Sequence, residues 1–562
     1  MTETDAQSQP WWKRGVIYHC YVRSFMDGNG DGVGDLPGLT SKLGVLRDGT
    51  PSSLGIEGLW LSPVYPSPNR DFGYDISDYR SIDPVCGTLD DFDRLVAGAR
   101  ARGIHLIMDL VVNHSSTEHT WFRQARTSRE NPFHDYYLWS DGTNGKPPNN
   151  WGSTFGGSAW EWNEQTHEFY LHSFLKEQAD LNWRNPRLRE EIHDIMRFWM
   201  DRGVDGFRLD VANYYVKDAQ LRDNSHEFVV AQPMPGNPSK TLPIPMSREV
   251  YDHTVDQPET HDALREMRGV IDEKPGRMMV GEITQRTLDQ VLSYYGNGEN
   301  ELNLVFDFFF FVRRFRAKDF RDIIERTLDL LPDGAWPAWV LSNHDVVRAV
   351  SRYHLSPPMT KSMIGLLLTL KGTPFLYNGE ELGLANTPLP RRLLRDPVGK
   401  RYWPLPVGRD GERTPMPWDA TPNAGFTTGI PWLPVSASAV TYSAESSDPT
   451  SVLSFTRRLT WFRSHHPALN AGDMSIVGGP SDTCLCFTRT SPAEHMTITM
   501  NLSDQTVAIP RGSFTSDQTP LFSTEEQPSM DSLAPWEVRI AAAPTLPEGR
   551  VVTPLRRSCS YQ

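Results

Sequence analysis

Four stretches of this chain gather carboxylates, imidazoles and one guanidinium at the ends of apolar runs. They are Asp109-Leu-Val-Val-Asn113-His114, Gly206-Phe-Arg208-Leu-Asp210, Gly281-Glu282-Ile283 and Ser342-Asn-His344-Asp345, closing the runs IHLIMDLVV, GVDGFRLDV, RMMVGEI and WPAWVLSNHD. In an extended strand residues i and i+2 share a face. Arg208 and Asp210 are therefore expected to point one way, with Phe207, Leu209 and Val211 packed on the other. A guanidinium beside a carboxylate favours its ionised form, so Asp210 reads as a nucleophile held ionised by Arg208. Glu282 ends an apolar strand, where desolvation raises a carboxyl pKa and keeps the proton on. One ionised and one protonated carboxyl, about 5–5.5 Å apart, is the pair that cleaves a glycosidic bond with retention.

The elements that would position these groups alternate regularly. Segments 15–25, 55–63, 104–111, 203–211, 277–283, 301–308, 338–345 and 373–378 read as strands, with helical period between them, as in DDFDRLVAGARARG. That alternation, with charge at the strands' C-terminal ends, predicts a parallel (β/α)8 TIM barrel. Residues 1–111 and 181–468 form its two parts, separated by an inserted small domain at 112–180 after the third strand. This insert is rich in Trp, Asn, Gly and Pro and too long for a simple connection. Irregular, Pro-rich stretches near 214–262 and 380–435 are expected to lie over the site as lids. Short alternating runs at 469–545 predict a C-terminal antiparallel β-sandwich, and 546–562 a tail.

Between the first and second strands the sequence runs Asp27-Gly-Asn29-Gly-Asp31-Gly-Val33-Gly-Asp35. Oxygen side chains at alternate positions with glycine between them suit a tight loop around a hard cation. The twelfth position is Gly38, where an EF-hand needs its bidentate Glu.

A length of 562 residues calls for two or three domains, and a formal charge of −14 argues against nucleic acid or an anionic membrane as partner. A small neutral or polar substrate fits better, and the 17 Trp, 18 Tyr and 25 Phe offer rings on which sugars can stack. Five cysteines without metal-ligand spacing suggest reduced thiols. The N-terminus lacks an apolar targeting core, and no window approaches a membrane span. A soluble, cytoplasmic protein is expected, as monomer or homodimer.

In order and spacing the four stretches resemble the signature regions of the α-amylase family of glycoside hydrolases, and Glu177-Gln-Ala-Asp-Leu-Asn-Trp183 is similar to its fifth region. The likeness extends over about residues 11–540. It implies Asp210 as nucleophile, Glu282 as acid/base and Asp345 as a third carboxylate favouring the oxocarbenium-like transition state. It further implies His114 and His344 on the sugar in the −1 subsite, Tyr74 stacked beneath it, and Phe155, Phe174 and Gln178 as further pocket residues around the Arg208 cluster. Asp71 and Arg413 would meet across the far side of that subsite and clasp a terminal glucose. In the Gly-rich loop the match gives a structural Ca2+, with side-chain oxygens from Asp27, Asn29, Asp31 and Asp35 and the Val33 carbonyl.

Within the family, segments 395–400 and 411–418 resemble exo-acting α-glucosidases, while Val211 after the nucleophile is similar to oligo-1,6-glucosidases. The implied activity is a retaining exo-α-glucosidase acting on short α-glucosides such as maltose or sucrose, with transfer to alcohols or phenols as a further capacity. Alternatives are an oligo-1,6-glucosidase, or a sugar isomerase of the trehalose or isomaltulose synthase type. The Arg-Leu-Asp-Arg-Asp run of isomaltulose synthases is absent. A non-enzymatic transporter heavy chain would need a membrane span and shows a degraded triad; here the span is missing and the triad intact.

Overall fold

Each apolar run that ends in charge forms a strand, and eight such strands close on one another. In this computed structural model they are β1 (Ile17–Cys20), β2 (Gly58–Leu61), β3 (His105–Leu110), β4 (Gly206–Leu209), β5 (Met278–Gly281), β6 (Leu304–Asp307), β7 (Ala338–Val340) and β8 (Thr373–Tyr377). All pair in parallel with their chain neighbours, and β8 returns to β1. The structure describes residues 9–229, 232–234, 237–242, 246–284, 286–405, 407–436, 440–510 and 520–542. The expected tail at 546–562 lies outside them.

Side-chain alternation divides the barrel into two cores. Ile17, Trp60, Ile107, Val280, Phe306, Val340 and Phe375 meet inside it, so the interior is packed rather than open. Leu106, Met108, Leu110, Phe207 and Leu209 face outward into the layer shared with the helices. One such helix, α1 (Leu89–Arg100), shows how these start: Thr88 and Asp91 form a capping box that satisfies its first amides. On β3 and β4, Asp109 and Arg208 are register partners on the inward face, above Trp60. Strand pairing therefore creates that ion pair directly.

Beyond β3, His114–Ser116 pairs with Gln178–Asp180, and Glu168–Leu171 is flanked by Trp139–Ser140 and Trp160–Asn163. A small core of Trp151, Trp160, Phe169 and Leu171 holds this insert together. The stretch after β4, expected to be irregular, contains antiparallel ribbons instead: His226–Val229 with Met246–Glu249, and Gln232–Met234 with Asn237–Leu242. A two-stranded ribbon tolerates proline because half of its backbone amides need no partner.

Toward the C-terminus, five antiparallel strands run in the order Asp473–Ile476, Cys484–Thr490, His495–Asn501, Val538–Ala542 and Pro520–Ser523, beside a pair formed by Val507–Ala508 and Ser532–Leu533. The larger sheet rests on the barrel helices α2 (Pro357–Thr369) and α3 (Val452–His465): Ser362 hydrogen-bonds the Trp536 carbonyl, and the rings of Phe455 and Phe462 meet Phe522. No helix among the described residues is long and apolar enough to cross a membrane.

The loop at 27–35 is tight, as its glycines require. Gly32 has φ +96°, and a Cβ there would come within 1.8 Å of the Ile430 carbonyl oxygen. Asp27 accepts the amides of Gly30 and Gly32, Asn29 that of Asp31, Asp31 that of Val33, and Asp35 that of Gly38. Burial, and then the negative charges of Asp27 and Asp31, raise the Asp35 carboxyl pKa. The donor set is all oxygen, as a hard cation requires. Among the described residues, no three Asp, Glu, His or Cys side chains stand together as a ready-made ligand set.

Candidate active site

Arg208 is the hub of the charged groups at the barrel mouth. Its Nη1 donates to Asp109 Oδ1 at 2.7 Å and to Asp210 Oδ1 at 2.5 Å, while Nη2 donates to Glu282 Oε2. The guanidinium is fully buried and lies over the rings of Trp60 and Tyr74. Holding Asp210 and Glu282 on the two amino groups of one planar cation keeps them close together, as a retaining pair requires.

The sequence assigned Arg208 to Asp210 alone, and the structure corrects that. One cation is shared by three carboxylates, so it neutralises none of them fully. Burial pushes Asp210 up to about 7 against the pull of Arg208, with the charges of Asp109 and Asp345 adding to the rise. Burial likewise lifts Glu282 to about 7, and Asp109 to about 6. Glu282 is thus raised as expected, but Asp210 is raised with it, and near neutral pH the cluster retains a proton to share.

Val211 departs from its expected place too. It adopts the left-handed conformation at φ 36°, ψ 50°, which costs a β-branched residue conformational energy. The strand has already ended at Leu209, so this turn sends Val211 into the cavity, next to Tyr214, instead of onto the outer face.

Asp345 sits across from this cluster. Its Oδ1 meets Arg413 Nη2 at 2.6 Å and Arg409 Nη1 at 3.1 Å, and Oδ2 lies 3.1 Å from His344 Nε2. Burial alone would raise its pKa, but the charges of Arg409, Arg413 and Arg208 hold it well below the ordinary carboxylate range. Burial, helped by those arginines, keeps His344 neutral. The site therefore sets one firmly ionised carboxylate, Asp345, against three raised ones, Asp109, Asp210 and Glu282.

The cavity above these groups has a volume of about 250 Å3, below the roughly 300–1,000 Å3 of drug-sized pockets. Asp71, Tyr74, His114, Phe155, Phe174, Gln178, Asp210, Glu282 and Asp345 line it, joined by Thr154, Val211, Tyr214, Thr284 and Arg409. Arg208, His344 and Arg413 lie beneath this lining. Tyr74 stacks on His344 with ring centroids 5.1 Å apart and donates its hydroxyl to Asp109. His114 Nε2 is 3.0 Å from the Tyr74 carbonyl and 3.1 Å from Gln178, which also donates to Asp71.

The expected contact between Asp71 and Arg413 does not form. Asp71 Oδ1 instead meets Arg409 Nη2 at 2.6 Å, and Arg413 turns to Asp345 and to the His344 carbonyl. Arg409 and Arg413 stand four residues apart on the same lid, so charge and spacing gave no basis for choosing between them. Only the closure of the lid over the loops after β2 and β7 separates their partners. Phe155 covers the Arg409 guanidinium at 5.1 Å.

The sequence model of the alpha amylase catalytic domain matches residues 19–472. The chain belongs to the alpha-amylase family. It is 40% identical over 505 residues to a probable alpha-glucosidase of Rhizobium meliloti (strain 1021), covering 88% of this chain and 90% of that one. Identity to an oligo-1,6-glucosidase of Parageobacillus thermoglucosidasius is 38% over 534 residues, covering 88% and 91%. Among solved structures, the alpha-glucosyl transfer enzyme XgtA superposes with a TM-score of 0.87 at 39% identity, covering 96% of this chain and 100% of that one. The family's barrel accounts for the charge at the strand ends, since in TIM-barrel enzymes the reacting groups sit at the C-terminal face.

Proposed function

We propose that this protein is a retaining exo-α-glucosidase that removes the terminal non-reducing glucose from short α-glucosides. The observation that carries this reading is the ion pair of Asp71 and Arg409, which closes one side of a cavity with room for about one sugar residue. A polysaccharide would need the volume of that pair for its next sugar, whereas a terminal glucose offers its free hydroxyl to it.

In the first step an Asp210 carboxylate oxygen attacks the anomeric carbon as the glycosidic C–O bond breaks, and the leaving oxygen takes the proton of Glu282. In the second, Glu282 takes a proton from water, whose oxygen attacks the anomeric carbon and expels Asp210, releasing glucose of retained configuration. Asp345, the firmly ionised carboxylate, stabilises the positive charge that develops in both transition states. An alcohol or phenol in place of water gives transfer, the second capacity proposed. The loop at 27–35 is proposed to bind Ca2+ through Asp27, Asn29, Asp31, Asp35 and the Val33 carbonyl, a bound charge that would neutralise the mutual repulsion of its acids and so stabilise the fold. Cys20, Cys86 and Cys484 are free thiols, which supports action in the cytoplasm.

Product analysis after incubation with maltose, isomaltose, sucrose, trehalose and soluble starch tests this reading. Glucose is expected from the short substrates, with starch a poor one. Mixed maltooligosaccharides released efficiently from starch would overturn it.

A further inference from the structure

We propose that Asp396 is the positioning residue that gives the pocket its selectivity for a chain end, by fixing the guanidinium of Arg409. The inference rests on the exo-acting reading above and names the group that enforces it. Asp396 is fully buried within the second lid, at the start of the short helix Pro397–Arg401, and does not line the cavity.

Its two oxygens have separate duties. Oδ2 accepts the backbone amides of Gly399 at 3.1 Å and Arg409 at 3.0 Å, capping the short helix Pro397–Arg401 and pinning the far end of the lid loop to its beginning. Oδ1 accepts from Arg409 Nε at 3.1 Å and Nη2 at 2.8 Å. A planar guanidinium gripped along its Nε edge has its remaining donors aimed. Those donors are the ones that reach Asp71 and Asp345. The direction of Arg409 into the pocket is therefore set from behind.

The grip is itself braced. The Asp410 carboxylate accepts the backbone amides of Arg395 and Asp396, at 2.7 and 3.0 Å. Gly399 and Gly408 let the two ends of the loop touch, since a Cβ on Gly408 would fall 2.6 Å from the Gly399 Cα. Burial opposes the charge on Asp396, but Arg409 and Arg413 hold its carboxyl below the ordinary range, so the grip persists across the working pH.

Asparagine caps a helix as well as aspartate does, so Asp396→Asn preserves the start of the loop while removing the negative charge that grips Arg409. The readout is kcat/KM for 4-nitrophenyl α-glucoside against its 4-deoxy analogue. Wild-type enzyme is expected to favour the parent glucoside by about a hundredfold or more, because a site built to bond a hydroxyl is left unpaired without it. In Asp396→Asn that preference should fall by at least about tenfold, through loss on the parent compound. A merely structural role would lower both rates together. An unchanged preference in Asp396→Asn overturns the role of Asp396 and leaves the exo-acting reading standing. No preference in the wild type overturns that reading, and the inference with it. Should Asp396→Asn not fold, Asp396→Ser also caps and carries the same comparison with the same outcomes.

Discussion

Arg409 Nη2 lies 2.6 Å from Asp71 Oδ1, although 338 residues separate them along the chain. The pair joins the lid after β8 to the loop after β2, and with both side chains largely buried, removing one partner strands the other's charge. Arg409→Ala is therefore expected to lose about 2–5 kcal/mol of transition-state stabilisation on maltose, read as kcat/KM. Arg413→Ala should depress turnover through Asp345 without relaxing selectivity for a chain end. Equal selectivity loss in both variants would show that the lid acts only as a whole.

Asp210→Asn should abolish turnover while melting close to the wild type, since it removes the proposed nucleophile and keeps the volume. Glu282→Ala should still form the glucosyl ester from substrates with good leaving groups, and azide should then release α-glucosyl azide. The product's configuration is readable by NMR, and a β-azide from this variant would contradict retention.

The proposed mechanism requires Asp210 ionised and Glu282 protonated, yet both are lifted to about 7. The expected profile of kcat/KM is a narrow bell around neutrality: protonation of Asp210 gives the acid limb and loss of the Glu282 proton the alkaline limb, the apparent values belonging to the pair. On α-glucosyl fluoride, whose leaving group needs little acid assistance, Glu282→Gln should lose the alkaline limb and keep the acid one. An alkaline limb that survives the substitution would locate the acid elsewhere.

If the loop at 27–35 holds Ca2+, exhaustive chelation should lower the melting temperature and added Ca2+ should restore it, since a ligand bound only by the folded state stabilises it. Metal analysis of the dialysed protein accompanies the melt. Unchanged melting and no bound metal would make the loop a plain turn held by its own Asx hydrogen bonds.

The barrel was legible in the sequence because each of its strands is a short apolar run ending in polar residues, and parallel strands at that spacing have few ways to close. The placement of Asp210, Glu282 and Asp345 at the barrel mouth was legible for the same reason, each following a strand's C-terminal end. What pairing register and alternation dictate, such as Asp109 beside Arg208 on one inward face, is local physics written in the order of residues.

Tertiary structure alone decided the rest. Whether Arg409 or Arg413 meets Asp71 depends on how a lid folds back over the loops after β2 and β7, and both arginines carry the same charge four residues apart. The sharing of Arg208 among three acids, which leaves Asp210 raised instead of ionised outright, follows from burial and from distances between strands 3, 4 and 5 that no single stretch contains. Val211 turned inward because the strand stopped one residue before Asp210 and the chain took a left-handed step to reach the cavity. In each case the deciding energy is a long-range Coulomb or packing term, which residue order constrains only through the completed fold.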